Sequence, residues 1–217
     1  MSAKPSQFSE ILLIVHPGFH VAKRFLSRIR NSGKAEPRLK TEERAFLEEW
    51  FGKYGRLILE SKANPERFVA LVNTRLFDSL DSKAIEKLSP KTQTDLFFLK
   101  RKIEEFTKLA KRGLKERIQI FDGEIKKEEV YAFSDKFNPR KKIKIIGAGE
   151  WEKQCLHENT SAVESSFRDR GFRVKVLPVK DAVRKGAPIT RPFRWAHGIG
   201  RKWFRRFRVR QNSQRKL

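Results

Sequence analysis

Apolar positions along this chain alternate between two patterns, short unbroken runs and stripes that recur every three or four residues. Ile11-Leu12-Leu13-Ile14-Val15 is the first unbroken run, and His16-Pro17-Gly18 ends it. Such a run fits a strand buried on both faces, with Pro and Gly as breakers. Val21, Phe25 and Ile29 then recur at i, i+4 and i+8 beside Leu26, a helix stripe that stops near Gly33. Lys34 to Lys40 reads as a charged linker, and Thr41 with Glu42 and Glu43 suits a helix start. The stripe Phe46, Trp50, Tyr54 and Leu57 predicts a helix ending before Asn64-Pro65. Phe68 to Val72 is a second strand, and 73–89 is ambiguous, with a short helix around Lys83 to Leu88. Ser89-Pro90 opens a long helix on Leu96, Leu99, Ile103, Phe106 and Ala110, with a charged, solvated opposite face. Arg117 to Phe121 is a third strand ending at Asp122-Gly123, and Val130 to Phe133 is a candidate fourth.

The stretch from Lys142 to Pro178 then fixes the fold class. An apolar strand, Ile143 to Ile146, runs into a Gly147-Ala148-Gly149 turn, and a helix follows that carries Cys155, the sole cysteine, near its start. After Gly171 comes another strand, Phe172 to Leu177. Strand, turn, helix and strand make a βαβ unit with parallel strands. The element order predicts an α/β three-layer sandwich with a mostly parallel five- or six-stranded sheet. Three regions are expected: a disordered lead over 1–9, the α/β domain over 10–183, and a basic aromatic arm over 184–217.

Open α/β sheets bind ligands at the carboxyl ends of their strands. That rim should hold His16 and Gly18, Asn73 and Thr74, Asp122 and Gly123, Gly147 to Glu150 with Cys155, and Pro178. Cys155 is the candidate nucleophile, since a helix start lowers a thiol pKa. Lys153 supports that shift, and Glu150 and Glu152 oppose it. The same cysteine also reads as a small buried hydrophobe beside Leu156. His16 could serve as its base and Asp122 as the group that orients the ring. Equally, His16 reads as a strand-terminal residue bonded to loop backbone.

Gly149-Glu150-Trp151-Glu152-Lys153-Gln154-Cys155 places Gly six residues before Cys directly after an apolar strand, and a Gly171-Phe172 pair and a Val-rich strand follow the helix. This pattern resembles the isochorismatase-like cysteine hydrolases, and the element order from residue 10 to about 183 is compatible with their fold. The resemblance implies a catalytic cysteine at Cys155 and hydrolysis of a small amide or ester. It also implies an Asp closing the first strand and a Lys closing the third. Here the first strand closes with Val15-His16 and the third with Phe121-Asp122, while Lys126, Lys127 and Lys136 are only loosely placed. The expectation is a domain of this kind without the full catalytic set, so catalysis stays open, as does a purely structural or interaction role.

No cofactor is expected. Gly147-Ala148-Gly149-Glu150 lacks the third glycine of a dinucleotide fingerprint, and no GxxxxGK[ST] loop is present. No metal is expected either, because Pro17-Gly18 breaks any helix that would pair His16 with His20.

Charge changes the picture of partners. The 217 residues carry 50 Lys and Arg against 26 Asp and Glu, a net +24. Twelve of the cations lie in the last 34 residues, which hold no acid, so half of the excess sits there. A field of this sign attracts polyanions. In the arm, Arg191, Arg194, Arg201, Lys202, Arg205, Arg206, Arg208 and Arg210 alternate with Phe193, Trp195, Trp203, Phe204 and Phe207. Cations neutralise phosphates and aromatic faces stack on unpaired bases, so RNA is the favoured nucleic acid. Trp195, Ile199, Trp203 and Phe207 also recur every four residues, which would suit an anionic membrane, although Gly198 and Gly200 weaken that helix. The aromatics could instead pack on the domain. A single cysteine, no visible secretory signal and no long apolar run lead to a cytoplasmic expectation. Oligomeric state is not legible.

Overall fold

The computed structural model describes residues 8–31, 36–78, 80, 82–149 and 155–183, with side chains up to residue 177. Its strands are β1 (Glu10–Val15), β2 (Arg67–Asn73), β3 (Ile118–Asp122), β4 (Ile143–Gly149) and β5 (Val174–Val183). Between them run α1 (Phe19–Asn31), α2 (Thr41–Ala63), α3 (Ser82–Glu86), α4 (Pro90–Leu114), α5 (Lys127–Ser134) and α6 (Cys155–Asp169). The strands form one five-stranded sheet in the order β3-β2-β1-β4-β5, and every pair is parallel. β1 is central because Ile11 to Val15 is apolar at every position and fully buried on both faces.

Alternate residues of β1 feed opposite cores. Ile11, Leu13 and Val15 point to one face, with Phe68, Val72, Phe133, Phe137, Val163 and Phe167. Leu12 and Ile14 point to the other, with Trp50, Tyr54, Phe106 and Ala110. So α5 and α6 cover one face and α2 and α4 the other, a three-layer sandwich. α1 packs beside α2 and α4 through Val21, Phe25, Leu26, Leu47, Leu96 and Leu99. From β1 the chain winds outward through β2 to β3, then returns to add β4 and β5 on the other side of β1. The strand order therefore reverses between β1 and β4, where ligand crevices form.

Several expectations need correction. Val130 to Phe133 is helical, part of α5, because Val130, Phe133 and Phe137 are spaced to reach one core together. Phe8 and Ser9 belong to the fold rather than to a lead. Phe8 is buried against Phe68 and Phe137 and bridges to Phe137 in parallel fashion. Gly147-Ala148-Gly149 is the end of β4 and not a turn. Its glycines are close-packing positions: a Cβ on Gly147 would meet Leu156 of α6 at 3.3 Å, and one on Gly149 would meet the Val15 carbonyl at 2.7 Å. β5 runs on to Val183, so Pro178 lies within a strand, paired with Gly147, and not at a tip. Pro is tolerated there because β5 is an edge strand.

Candidate functional site

His16 follows β1, and its backbone N–H still donates to the Val72 carbonyl at 2.8 Å. The chain turns sharply there: His16 has φ 49 and Gly18 has φ 79. A left-handed conformation is costly for a residue with a side chain, on the order of 1–3 kcal/mol. His16 is 8% exposed, and its ring stacks on Phe19 with centroids 5.4 Å apart. Nε2 lies 2.7 Å from the Gly123 carbonyl oxygen. A carbonyl only accepts, so Nε2–H donates and the lone pair of the neutral ring is on Nδ1. Nδ1 is buried with no partner among the described residues. Burial holds the ring below the ordinary histidine range, and the Gly123 bond and the charges of Glu124 and Glu158 oppose it only in part. His16 is therefore a neutral imidazole carried on a left-handed backbone at the switch point.

Cys155 opens α6, half-buried against the core on the α5/α6 face. Burial is the main influence on its thiol and pushes its pKa up. Glu158 and Glu124 push the same way, while its own backbone N–H and Lys23 oppose them. The expected lowering by the helix start is thus outweighed, and the protonated thiol is favoured. Cys155 and His16 share the neighbours Glu124 and Glu158, so the two sit on the same rim. They are not hydrogen-bonded, because Nε2 is occupied by Gly123 and Nδ1 has no partner. Nor does Asp122 orient the ring, a role that falls to the carbonyl of the next residue. Asp122 is exposed at the end of β3, paired in register with Asn73. So Cys155, His16 and Asp122 lie along the carboxyl edge, but no hydrogen bond from His16 links them as a triad.

Asp122 instead lines a cleft of about 460 Å³ at the carboxyl ends of β2 and β3, walled by α4. Asn73, Thr74 and Arg75 contribute from the end of β2, and Lys100, Glu104, Thr107, Lys108 and Lys111 from α4. Asn73, Thr74 and Asp122 stand on the rim expected from the sequence, whereas the charged face of α4, expected only to be solvated, lines this cleft. The available signal was the spacing: Lys100, Glu104, Lys108 and Lys111 fall at i, i+4, i+8 and i+11, one helical stripe. Arg75 also reaches across to Gly123, whose φ is 90 and whose missing Cβ would meet the Arg75 side chain at 3.3 Å.

Among the described residues no group of three or more His, Cys, Asp or Glu could hold a metal ion. No described helix is long and apolar enough to cross a membrane. The arm residues Arg191, Arg194, Trp195, Arg201, Lys202, Trp203, Arg205, Arg206, Arg208 and Arg210 lie outside the described residues, as do Glu150 to Gln154. Comparisons with family models, with curated proteins and with solved structures gave no match.

Proposed function

We propose that this chain is a polyanion-binding protein with RNA as its favoured partner, built on an α/β domain of isochorismatase-like kind that lacks the full catalytic set. The observation that carries this reading is the charge: +24 overall, half of it in 34 residues without an acid and with aromatics between the cations. Such a segment combines phosphate neutralisation with stacking on bases. Two features of the rim support loss of the hydrolase set. The Cys155 thiol is pushed up by burial and by Glu158, and no hydrogen bond joins His16 to Cys155 or to Asp122. A cytosolic setting fits a lone half-buried thiol.

The test compares the full chain with one truncated after Val183, which keeps β5 and every described core residue. Single-stranded RNA should be retained by the full chain at low salt, and the truncated chain should lose at least about tenfold in affinity. Equal binding by the two forms would remove the arm from the account.

A second reading, a cysteine hydrolase of a small amide or ester, draws on one observation. His16 and Cys155 share a rim, and the His16 Nδ1 has no partner among the described residues. That reading requires an alkylation profile of Cys155 with an apparent pKa below the ~8.5 of a free thiol.

A further inference from the structure

The cleft at the ends of β2 and β3 carries four cations and three carboxylates, Arg75, Lys100, Lys108 and Lys111 against Asp78, Glu104 and Asp122. None of the seven forms a salt bridge among the described residues. Elsewhere on the same helix charges do pair, Arg101 with Glu105 at 2.7 Å and Lys102 with Glu48 at 2.6 Å. All seven are exposed, and charges of both signs around a concavity suit a ligand that is itself mixed, anionic at one end and hydroxyl-bearing at the other. The floor has matching groups. Thr107 Oγ1 donates to the Ile103 carbonyl at 2.9 Å and lies 3.3 Å from the Asn73 side-chain amide, so a hydroxyl and an amide stand side by side on the floor. Phe77, half-buried, adds an aromatic face to the lining. The volume of about 460 Å³ falls within the roughly 300–1,000 Å³ of small-molecule sites.

We infer that this cleft binds one nucleotide unit, its phosphate held by Lys108, Lys111 and Arg75, its ribose hydroxyls by a carboxylate such as Asp122, and its base beside Phe77. Lysine supplies point charge to phosphate, arginine a planar fork, and a carboxylate accepts from vicinal hydroxyls. The unit is either a free nucleotide or one residue of a bound RNA strand. In the second case the inference deepens the polyanion reading and rests on it; in the first it stands alone.

The experiment uses the full chain and titrates it with adenosine monophosphate, inorganic phosphate and a single-stranded oligoribonucleotide, followed by calorimetry. Two variants are compared with the native chain, Lys108→Gln with Lys111→Gln in the cleft, and Arg205→Gln with Arg206→Gln and Arg208→Gln in the arm. Neither set touches a described core residue. The expected result is that the monophosphate binds more tightly than phosphate, and that the cleft variant weakens it at least about tenfold while the arm variant leaves it unchanged. If the oligoribonucleotide is weakened in both variants, the bound unit belongs to a strand; if only in the arm variant, the cleft takes free nucleotide. Monophosphate binding that is absent, equal to that of phosphate, or untouched by the cleft variant overturns the inference and leaves the arm reading standing. Absence of oligoribonucleotide binding by the native chain, with monophosphate binding intact, overturns the arm reading and leaves the cleft.

Discussion

Two costs coincide at His16, a left-handed backbone and a buried ring nitrogen without a partner among the described residues. Because the folded ring resists its proton, the unfolded chain binds that proton more readily. The resulting stability is fully present above the unfolded value of ~6.5 and is lost as pH falls below it. Urea midpoints should therefore drop between about pH 7.5 and about pH 5.5, with a contribution from this residue of at most about 1.4 kcal/mol per pH unit. His16→Asn, which tolerates the left-handed backbone, should flatten that slope, and parallel slopes in the two proteins would remove His16 from the acid response. Cys155 gives an independent check at the same rim. Its alkylation rate should rise with an inflection above ~8.5, because burial and Glu158 both favour the protonated thiol. An inflection clearly below that value would reverse the electrostatic account and favour the hydrolase. These residues were legible as rim residues from their positions after apolar runs. The direction of their pKa values was not, because it depends on burial and on Glu124 and Glu158, which only the fold brings near.

At the scale of elements, glycines report how closely neighbours approach. Gly149→Ala should cost about 1–3 kcal/mol, because its Cβ would sit 2.7 Å from the Val15 carbonyl where β1 and β4 meet. Gly52 and Gly55 lie inside α2 with nothing within 4 Å of an added Cβ. Alanine at either should stabilise by about 0.4–1 kcal/mol, readable from denaturant midpoints, and destabilisation would show a contact that the geometry lacks. Asp95 of α4 anchors the segment before α2. Its fully buried carboxylate accepts from the Leu39 N–H at 2.9 Å and Arg38 at 2.8 Å and also pairs with Arg44. Burial alone would raise its pKa, but these partners together lower it. Asp95→Ala strands the Leu39 N–H while the two half-exposed arginines turn to water, so unfolding should become easier by about 1–3 kcal/mol. Most elements were readable because their periodicity is strong. α5 was not: four apolar-rich residues from Val130 to Phe133 fit either a short strand or a helix turn, and only Phe137 in the same core decides it. Phe8 escaped notice as a lone aromatic after a polar lead, with its partners Phe68 and Phe137 far away in sequence.

For the whole molecule, the parallel sheet followed from strands separated by helices, as the sequence implies. The order of the strands did not follow, since any of several orders buries the same apolar runs, and it is this order that sets β1 beside β4. The cleft on α4 was hidden for a related reason: a charged face that lines a cleft and one that faces water look alike until the ends of β2 and β3 are placed beside it. Charge works at this scale too, since residues before the arm retain half of the +24 and would attract a strand even where the arm supplies most contacts. The most direct test of polyanion binding is the dependence of single-stranded RNA affinity on salt. With about six phosphates neutralised by the full chain, log K should fall against log salt with a slope of about −4, and truncation after Val183 should make that slope markedly shallower. An affinity that ignores salt, or a slope that survives truncation unchanged, would contradict it.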